Sequence, residues 1–221
     1  MPPSKQPRII APSLLAADWA RVAAELARAE VAGADWLHLD VMDGHFVDNI
    51  SFGPKLVQTA RAHTSLPLDV HLMIHRADHY LDRFIDAGAD RITVHLEARY
   101  DSSLADTIAR VRHAGLAPGL AIRPESSFDQ ALPFLHLVDL VLNMTVVPGF
   151  GGQSFLHHTM PKLAQLRDHR ESHQLDYHLQ VDGGIDETTV HIAASHGANS
   201  MVAGTYLFGA PDMAAAVTSL R

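Results

Sequence analysis

Short blocks in which apolar and polar positions alternate recur along the chain, and between them apolar positions fall at helical spacing. Trp36-Leu37-His38-Leu39-Asp40-Val41 is a block of the first kind. Successive strand side chains point to opposite faces, so Leu37, Leu39 and Val41 share one face and His38 and Asp40 the other. The pattern predicts strands near 8–13, 36–41, 68–73, 91–95, 117–122, 137–143, 177–182 and 200–203. It predicts helices near 18–32, 54–62, 77–87, 101–114, 128–135, 159–170, 187–196 and 210–220. Eight strand–helix alternations predict an α/β chain with a parallel sheet closed into a (β/α)8 TIM barrel.

An internal repeat supports the barrel. Ala32-Gly33-Ala34-Asp35, Ala87-Gly88-Ala89-Asp90 and His196-Gly197-Ala198-Asn199 each end a predicted helix and precede a strand, and His113-Ala114-Gly115-Leu116 is a weaker copy. Glycine suits the left-handed position after a helix C-terminus. The copies recur at intervals close to two and four units of about 27 residues, a plausible strand–helix length. An open doubly wound sheet more often carries a Gly-rich turn after its first strand. Here Pro12-Ser13-Leu14-Leu15 follows that strand and the Gly-rich turns come late. No stretch resembles an interdomain linker, so residues 1–221 are expected to form a single barrel domain.

Composition narrows the chemistry. The chain has 221 residues and no cysteine, which excludes disulfides, iron–sulfur clusters and thiolate metal sites. A net charge of −8 with no basic run argues against nucleic acid and acidic membrane surfaces. Backbone N–H groups can still form a local anion pocket in an acidic protein. The N-terminus, Met1-Pro2-Pro3-Ser4-Lys5-Gln6-Pro7, lacks the apolar core of a secretory signal, and no apolar run approaches the length of a membrane span. A cytoplasmic protein with no membrane partner is expected. Most of the 16 histidines sit in helical patterns and loops, as surface side chains.

In a parallel barrel the working residues come from the C-terminal strand ends. The second strand offers His38 and Asp40, the third His71 and the seventh Asp182. A strand histidine is usually a hydrogen-bonded core residue, and a terminal aspartate often caps a turn. Four such groups at equivalent ends point to one shared site, suited to Zn²⁺, Fe²⁺, Mn²⁺ or Co²⁺. Asp69 lies one step deeper on the third strand and is expected to hydrogen-bond a neighbouring polar group. Met42, Met73 and Met144 fall at or just past strand ends, placed to line a pocket or to fill gaps.

Three glycine clusters follow adjacent strands: Val147-Pro148-Gly149-Phe150-Gly151-Gly152-Gln153, Gly183-Gly184 and Ala203-Gly204-Thr205. Turn geometry alone accounts for one such pair. Three of them match the phosphate site that barrels build from the loops after strands seven and eight and a short extra helix. The glycine-rich segment 145–153 is also placed to act as a lid.

These residues together resemble the ribulose-phosphate 3-epimerase family. The resemblance rests on Ala11-Pro12-Ser13-Leu14-Leu15, on residues 36–47, on Leu68-Asp69-Val70-His71-Leu72-Met73, on Pro148-Gly149-Phe150-Gly151-Gly152-Gln153 and on Val181-Asp182-Gly183-Gly184. It covers nearly the whole chain. It implies a metal-dependent barrel that inverts C3 of a ketopentose 5-phosphate, interconverting D-ribulose 5-phosphate and D-xylulose 5-phosphate through a cis-enediolate. By the same resemblance His38, Asp40, His71 and Asp182 would hold one divalent metal ion, Zn, Fe, Mn or Co, with Asp40 and Asp182 also the two acid/base groups. Ser13, His71 and Asp182 would contact the substrate around the reacting carbons. Gly149, Phe150, Gly151, Gly152, Gly183, Gly184, Gly204 and Thr205 would hold its phosphate. Barrels of this kind commonly associate, so a homo-oligomer is expected.

The chain departs from the common family pattern at six places. Asp48 stands where Pro is common, Arg123 for Asn, Asn143 for an apolar residue, Val147 for a polar one, Gln180 for Glu and Thr205 for Ser. None removes a proposed ligand or base. A ketohexose 6-phosphate such as allulose 6-phosphate is the nearest alternative substrate, and a sugar-phosphate-binding barrel without catalysis the alternative of another class. Related decarboxylases and aldol-type barrels carry Asp-x-Lys-x-x-Asp, whereas Asp40-Val41-Met42-Asp43 has no lysine at the matching place.

Overall fold

The structure, a computed structural model, describes residues 8–221. The polar segment 1–7 lies outside the described residues. Eight parallel strands form one sheet: β1 Ile9–Pro12, β2 Leu37–Met42, β3 Leu68–Met73, β4 Arg91–His95, β5 Ala117–Ile122, β6 Leu140–Met144, β7 His178–Asp182 and β8 Ser200–Ala203. Their order, β1-β8-β7-β6-β5-β4-β3-β2, brings β1 and β2 to the two ends of the ladder. A parallel bridge between Ser13 and His38 joins those ends, and Asp35 and Trp36 donate backbone N–H groups to Ile10 O. The sheet therefore closes into the expected barrel, and its seam runs between two strands that carry site residues.

Among the described residues nine α-helices pack outside it: α1 Val22–Val31, α2 Pro54–His63, α3 Ala77–Asp86, α4 Leu104–His113, α5 Phe128–Ala131, α6 Met160–Ser172, α7 Thr189–Ser195, α8 Thr205–Phe208 and α9 Met213–Ser219. Two expectations change. The helix expected over 128–135 is α-helical only to Ala131 and continues as a 3-10 turn, Leu132–Leu137. Pro133 has no N–H to continue the α ladder. The short apolar segment after β8 is a helix in its own right, α8.

The repeat has a structural reason. Gly33, Gly88, Gly115 and Gly197 all have positive φ, from 83° to 108°, as the left-handed turn requires. The residue that closes three of the copies ties down the strand before it. Asp35 accepts from Ile10 N at 2.7 Å, Asp90 from Leu68 N at 2.8 Å and Asn199 from Leu179 N at 2.8 Å.

Apolar side chains on the outward strand faces, such as Leu39, Val70 and Val181, pack under the helices in one large cluster. Ala11, Trp36, Ala121, Leu140, Leu142, Met144 and Val202 belong to a second cluster, inside the barrel. The interior is crowded: a Cβ on Gly119 would lie 2.2 Å from Thr93 Oγ1. The third, seventh and eighth strands add a buried polar tier, Asp69, Gln180 and Ser200. Gln180 Nε2 donates to Asp69 Oδ2 at 2.8 Å and to Ser200 Oγ at 3.1 Å.

Candidate metal and acid/base site

Strand parity places His38 and Asp40 inward on β2, His71 inward on β3 and Asp182 inward at the end of β7. The ring brings them together. One ligand atom from each lies within 4.8 Å of every other. His38 Nε2 is 3.2 Å from Asp40 Oδ1, 3.3 Å from His71 Nδ1 and 3.9 Å from Asp182 Oδ2. His71 Nδ1 is 3.0 Å from Asp40 Oδ1 and 3.7 Å from Asp182 Oδ2. A tetrahedral cation with bonds of about 2.0–2.2 Å has ligand–ligand edges of roughly 3.3–3.6 Å, so these separations fit one ion. The donor set, two imidazole nitrogens and two carboxylate oxygens, fits a borderline divalent cation.

The two imidazoles face the centre through different nitrogens, His38 through Nε2 and His71 through Nδ1. Behind His38, Nδ1 donates to Asp69 Oδ2 at 2.9 Å. Asp69 thus has the hydrogen-bonding role expected of it, and it fixes the tautomer that leaves Nε2 free to ligate. Behind His71, Nε2 lies 2.9 Å from His95 Nε2.

Surroundings separate the two carboxylates. Burial raises Asp40, but the charge of His38 and hydrogen bonds from His38 and His71 outweigh it and hold Asp40 well below the ordinary carboxylate range. Burial, reinforced by the charge of Asp40, pushes Asp182 up to about 8. Without a cation between them, one carboxyl group is thereby held ionised and the other protonated near neutral pH. Ser13 Oγ donates to Asp40 Oδ2 at 2.6 Å.

Above the cluster opens a cleft of about 540 Å³. Ser13, Asp40 and Asp182 form part of its floor, and Met42, Met73 and Met144 all line it. Gly149, Phe150, Gly151, Gly152, Gly183, Gly184, Gly204 and Thr205 line the side away from β3 and β4. His38 and His71 lie beneath, fully buried. The turn after β7 is tightly held. Thr145 Oγ1 donates to the carbonyls of Asp182 and Gly183, and Thr189 Oγ1 to that of Gly184. Gly184 has φ +67°, and a Cβ there would lie 2.5 Å from Phe155 N. The loop after β6 exposes Val147 and, at the cleft, Phe150, and it leans on the loop after β2, where Asn49 Nδ2 donates to Gly149 O at 2.7 Å.

Two polar residues near the site escaped sequence reasoning. His95 ends β4 on its inward face, and Glu97 follows two residues later. The signal was a third inward histidine at a strand end, in Val94-His95-Leu96-Glu97. Arg123, one of the departures, donates to Phe46 O at 2.7 Å and lies over the Phe46 ring at 4.0 Å. Asn143 is buried on the outward face of β6, and neither atom of its amide has a protein partner.

The sequence model of the ribulose-phosphate 3 epimerase family matches residues 9–208. The chain is 41% identical to a ribulose-phosphate 3-epimerase of Synechocystis over 96% of this chain and 93% of that one. It is 42% identical to the enzyme of the same name from Bacillus subtilis, over 96% and 97%. Among solved structures, the 3-keto-L-gulonate-6-phosphate decarboxylase of Vibrio cholerae superposes with a TM-score of 0.70 at 20% identity, over 97% of both chains. At that identity the likeness is one of fold.

Proposed function

This chain belongs to the ribulose-phosphate 3-epimerase family, and we propose that its cleft inverts C3 of D-ribulose 5-phosphate to give D-xylulose 5-phosphate, and the reverse. The observation that carries this is the pair Asp40 and Asp182. Both reach one floor from β2 and β7, strands separated around the ring by β1 and β8.

Inversion of a carbon beside a ketone removes a proton from one face and returns one to the other. In one direction Asp40 takes the C3 proton and Asp182 delivers its own to the opposite face. In the other direction the roles exchange. His38, Asp40, His71 and Asp182 would hold a divalent cation, Zn, Fe, Mn or Co. When bound, the cation supplies Lewis-acid stabilisation of the oxygen charge that develops as C3 loses its proton. Ser13 keeps the Asp40 carboxylate oriented toward the substrate. Met42, Met73 and Met144 present a surface with no competing proton donor above the reacting carbon. Backbone N–H groups of the glycine loops at 149–152, 183–184 and 204–205 receive the phosphate, which anchors the far end of the sugar. The chain works as one barrel domain, residues 1–221, in the cytoplasm and as a homo-oligomer. Among the described residues no helix is long and apolar enough to cross a membrane.

The test is metal analysis of the purified protein joined to an assay on ribulose 5-phosphate. Chelation abolishes turnover and one of the four cations restores it. Full turnover in metal-free protein overturns the metal assignment, and no turnover in the metal-loaded protein overturns the substrate.

A further inference from the structure

Buried imidazoles have two nitrogens, and the proton on one is decided by what the other meets. His71 Nδ1 faces the ligand cluster, so on the proposed function it must carry a lone pair, and its proton sits on Nε2. That nitrogen lies 2.9 Å from His95 Nε2. The ring centroids are 5.0 Å apart with planes inclined by 28°. A 2.9 Å N–N contact at that centroid separation means the rings meet edge to edge, as a hydrogen bond demands. Two ring nitrogens bond only when one donates and the other accepts. His95 Nε2 must therefore be the acceptor, which puts the His95 proton on Nδ1. Nδ1 faces Glu97 Oε2 at 3.1 Å, and Glu97 Oε1 accepts from Arg123 N at 2.9 Å.

We propose that Glu97 and His95 are positioning residues that fix the tautomer of His71, so that the imidazole offers Nδ1 as a lone pair to a divalent cation. The inference rests on the metal-dependent function proposed above and adds a second supporting arm to its site. Asp69 orients His38 directly, whereas Glu97 orients His71 through an intervening imidazole. The relay is held from every side. Phe46 packs on the His95 ring with centroids 4.6 Å apart, and Tyr100 OH donates to the His95 carbonyl. Burial raises Glu97, but the His95 hydrogen bond outweighs it and holds the carboxyl down to about 2. Glu97 is therefore an acceptor only.

Histidine imidazole ¹⁵N NMR on the wild-type protein reads the tautomers. Zinc-loaded protein is expected to show Nε2–H on His71, and His95 is expected to carry Nδ1–H with and without zinc, because Glu97 sets it. An Nε2–H tautomer on His95 overturns the inference. Glu97→Gln supplies the second arm. Arg123 N–H pins the amide oxygen of the glutamine, which turns its NH2 toward His95 Nδ1. His95 must then carry its proton on Nε2 and meets His71 donor to donor. Zinc affinity of the variant is expected to fall about 10- to 100-fold, the usual effect of losing an outer partner of a metal ligand. An unchanged zinc Kd also overturns the inference. Failure of the wild type to bind zinc is a different result: it removes the metal assignment, and the His95 tautomer still decides the relay.

Discussion

Ser13 donates its hydroxyl hydrogen to Asp40 Oδ2 across 2.6 Å, while the other oxygen of that carboxylate faces His71 Nδ1 at 3.0 Å. The two oxygens of one side chain are thus held separately, one by β3 and one by the turn that follows β1. A hydrogen bond to a charged group contributes about 1.5–3 kcal/mol. Ser13→Ala should therefore lower kcat/KM about 10- to 100-fold without unfolding the barrel. Unchanged kcat/KM would leave Ser13 only its second bond, accepting from Leu15 N.

Asp40→Asn and Asp182→Asn should each remove epimerisation, by about 10² to 10⁴ for the lost acid/base group. Two bases on two faces make a sharper prediction than rate loss. In heavy water each variant should still exchange the C3 hydrogen of one epimer with solvent, and the two variants should act on different epimers. Near-normal turnover in either, with metal content checked alongside, sinks the two-base scheme.

The glycine loops offer a matched pair. A Cβ at Gly184 would collide with Phe155 N, and its φ of +67° disfavours a side chain. A Cβ at Gly151 meets nothing within 4 Å, and its φ is not positive. Gly184→Ala should raise KM for the sugar phosphate at least tenfold, whereas Gly151→Ala should leave it within about twofold, an expectation set by backbone strain alone. Equal KM values in the two would remove the phosphate role from the turn after β7.

Much of the site was legible because β-strand parity is a strict rule. Once 36–41 and 68–73 are strands, the faces of His38, Asp40, His71 and Asp69 follow. The contact of His71 with His95 was not legible, since it depends on the register of β4 against β3 and on Glu97, which lies beyond the strand. The break in the helix at 132 is legible only locally, in Pro133. The cleft wall contributed by Gly184 needed the approach of Phe155, which lies 29 residues away in the chain and has no periodic signature. Ser13 drew attention through family resemblance alone. As a residue it is a serine after a proline, and only the closed seam between β1 and β2 brings it to Asp40.

Asp43 shapes the loop that packs Phe46 and Val47 with Met42 and Met73. Its Oδ1 accepts from His45 N and Phe46 N, and its Oδ2 from His75 N, each within 2.9 Å. Burial raises its pKa, but these backbone donors outweigh it and lower it below the ordinary value. A carboxyl with a depressed folded pKa stabilises the fold above its unfolded pKa and loses that contribution as pH falls through the folded one. Asp43→Asn should cost about 1–3 kcal/mol, because its NH2 would meet a backbone N–H. It should also flatten the stability loss below about pH 4. Urea denaturation across that range checks both, and an unaltered profile would assign the acid sensitivity to other groups.

Gln180 stands beneath all of this as a buried amide, not an acid. An acid there would share a proton with Asp69 and gain or lose it with the surroundings. The amide exchanges none, and it donates permanently to Asp69 and Ser200. Asp69 is left with a fixed complement of donors, so the strut behind His38 behaves alike in a mildly acid and a mildly alkaline cell.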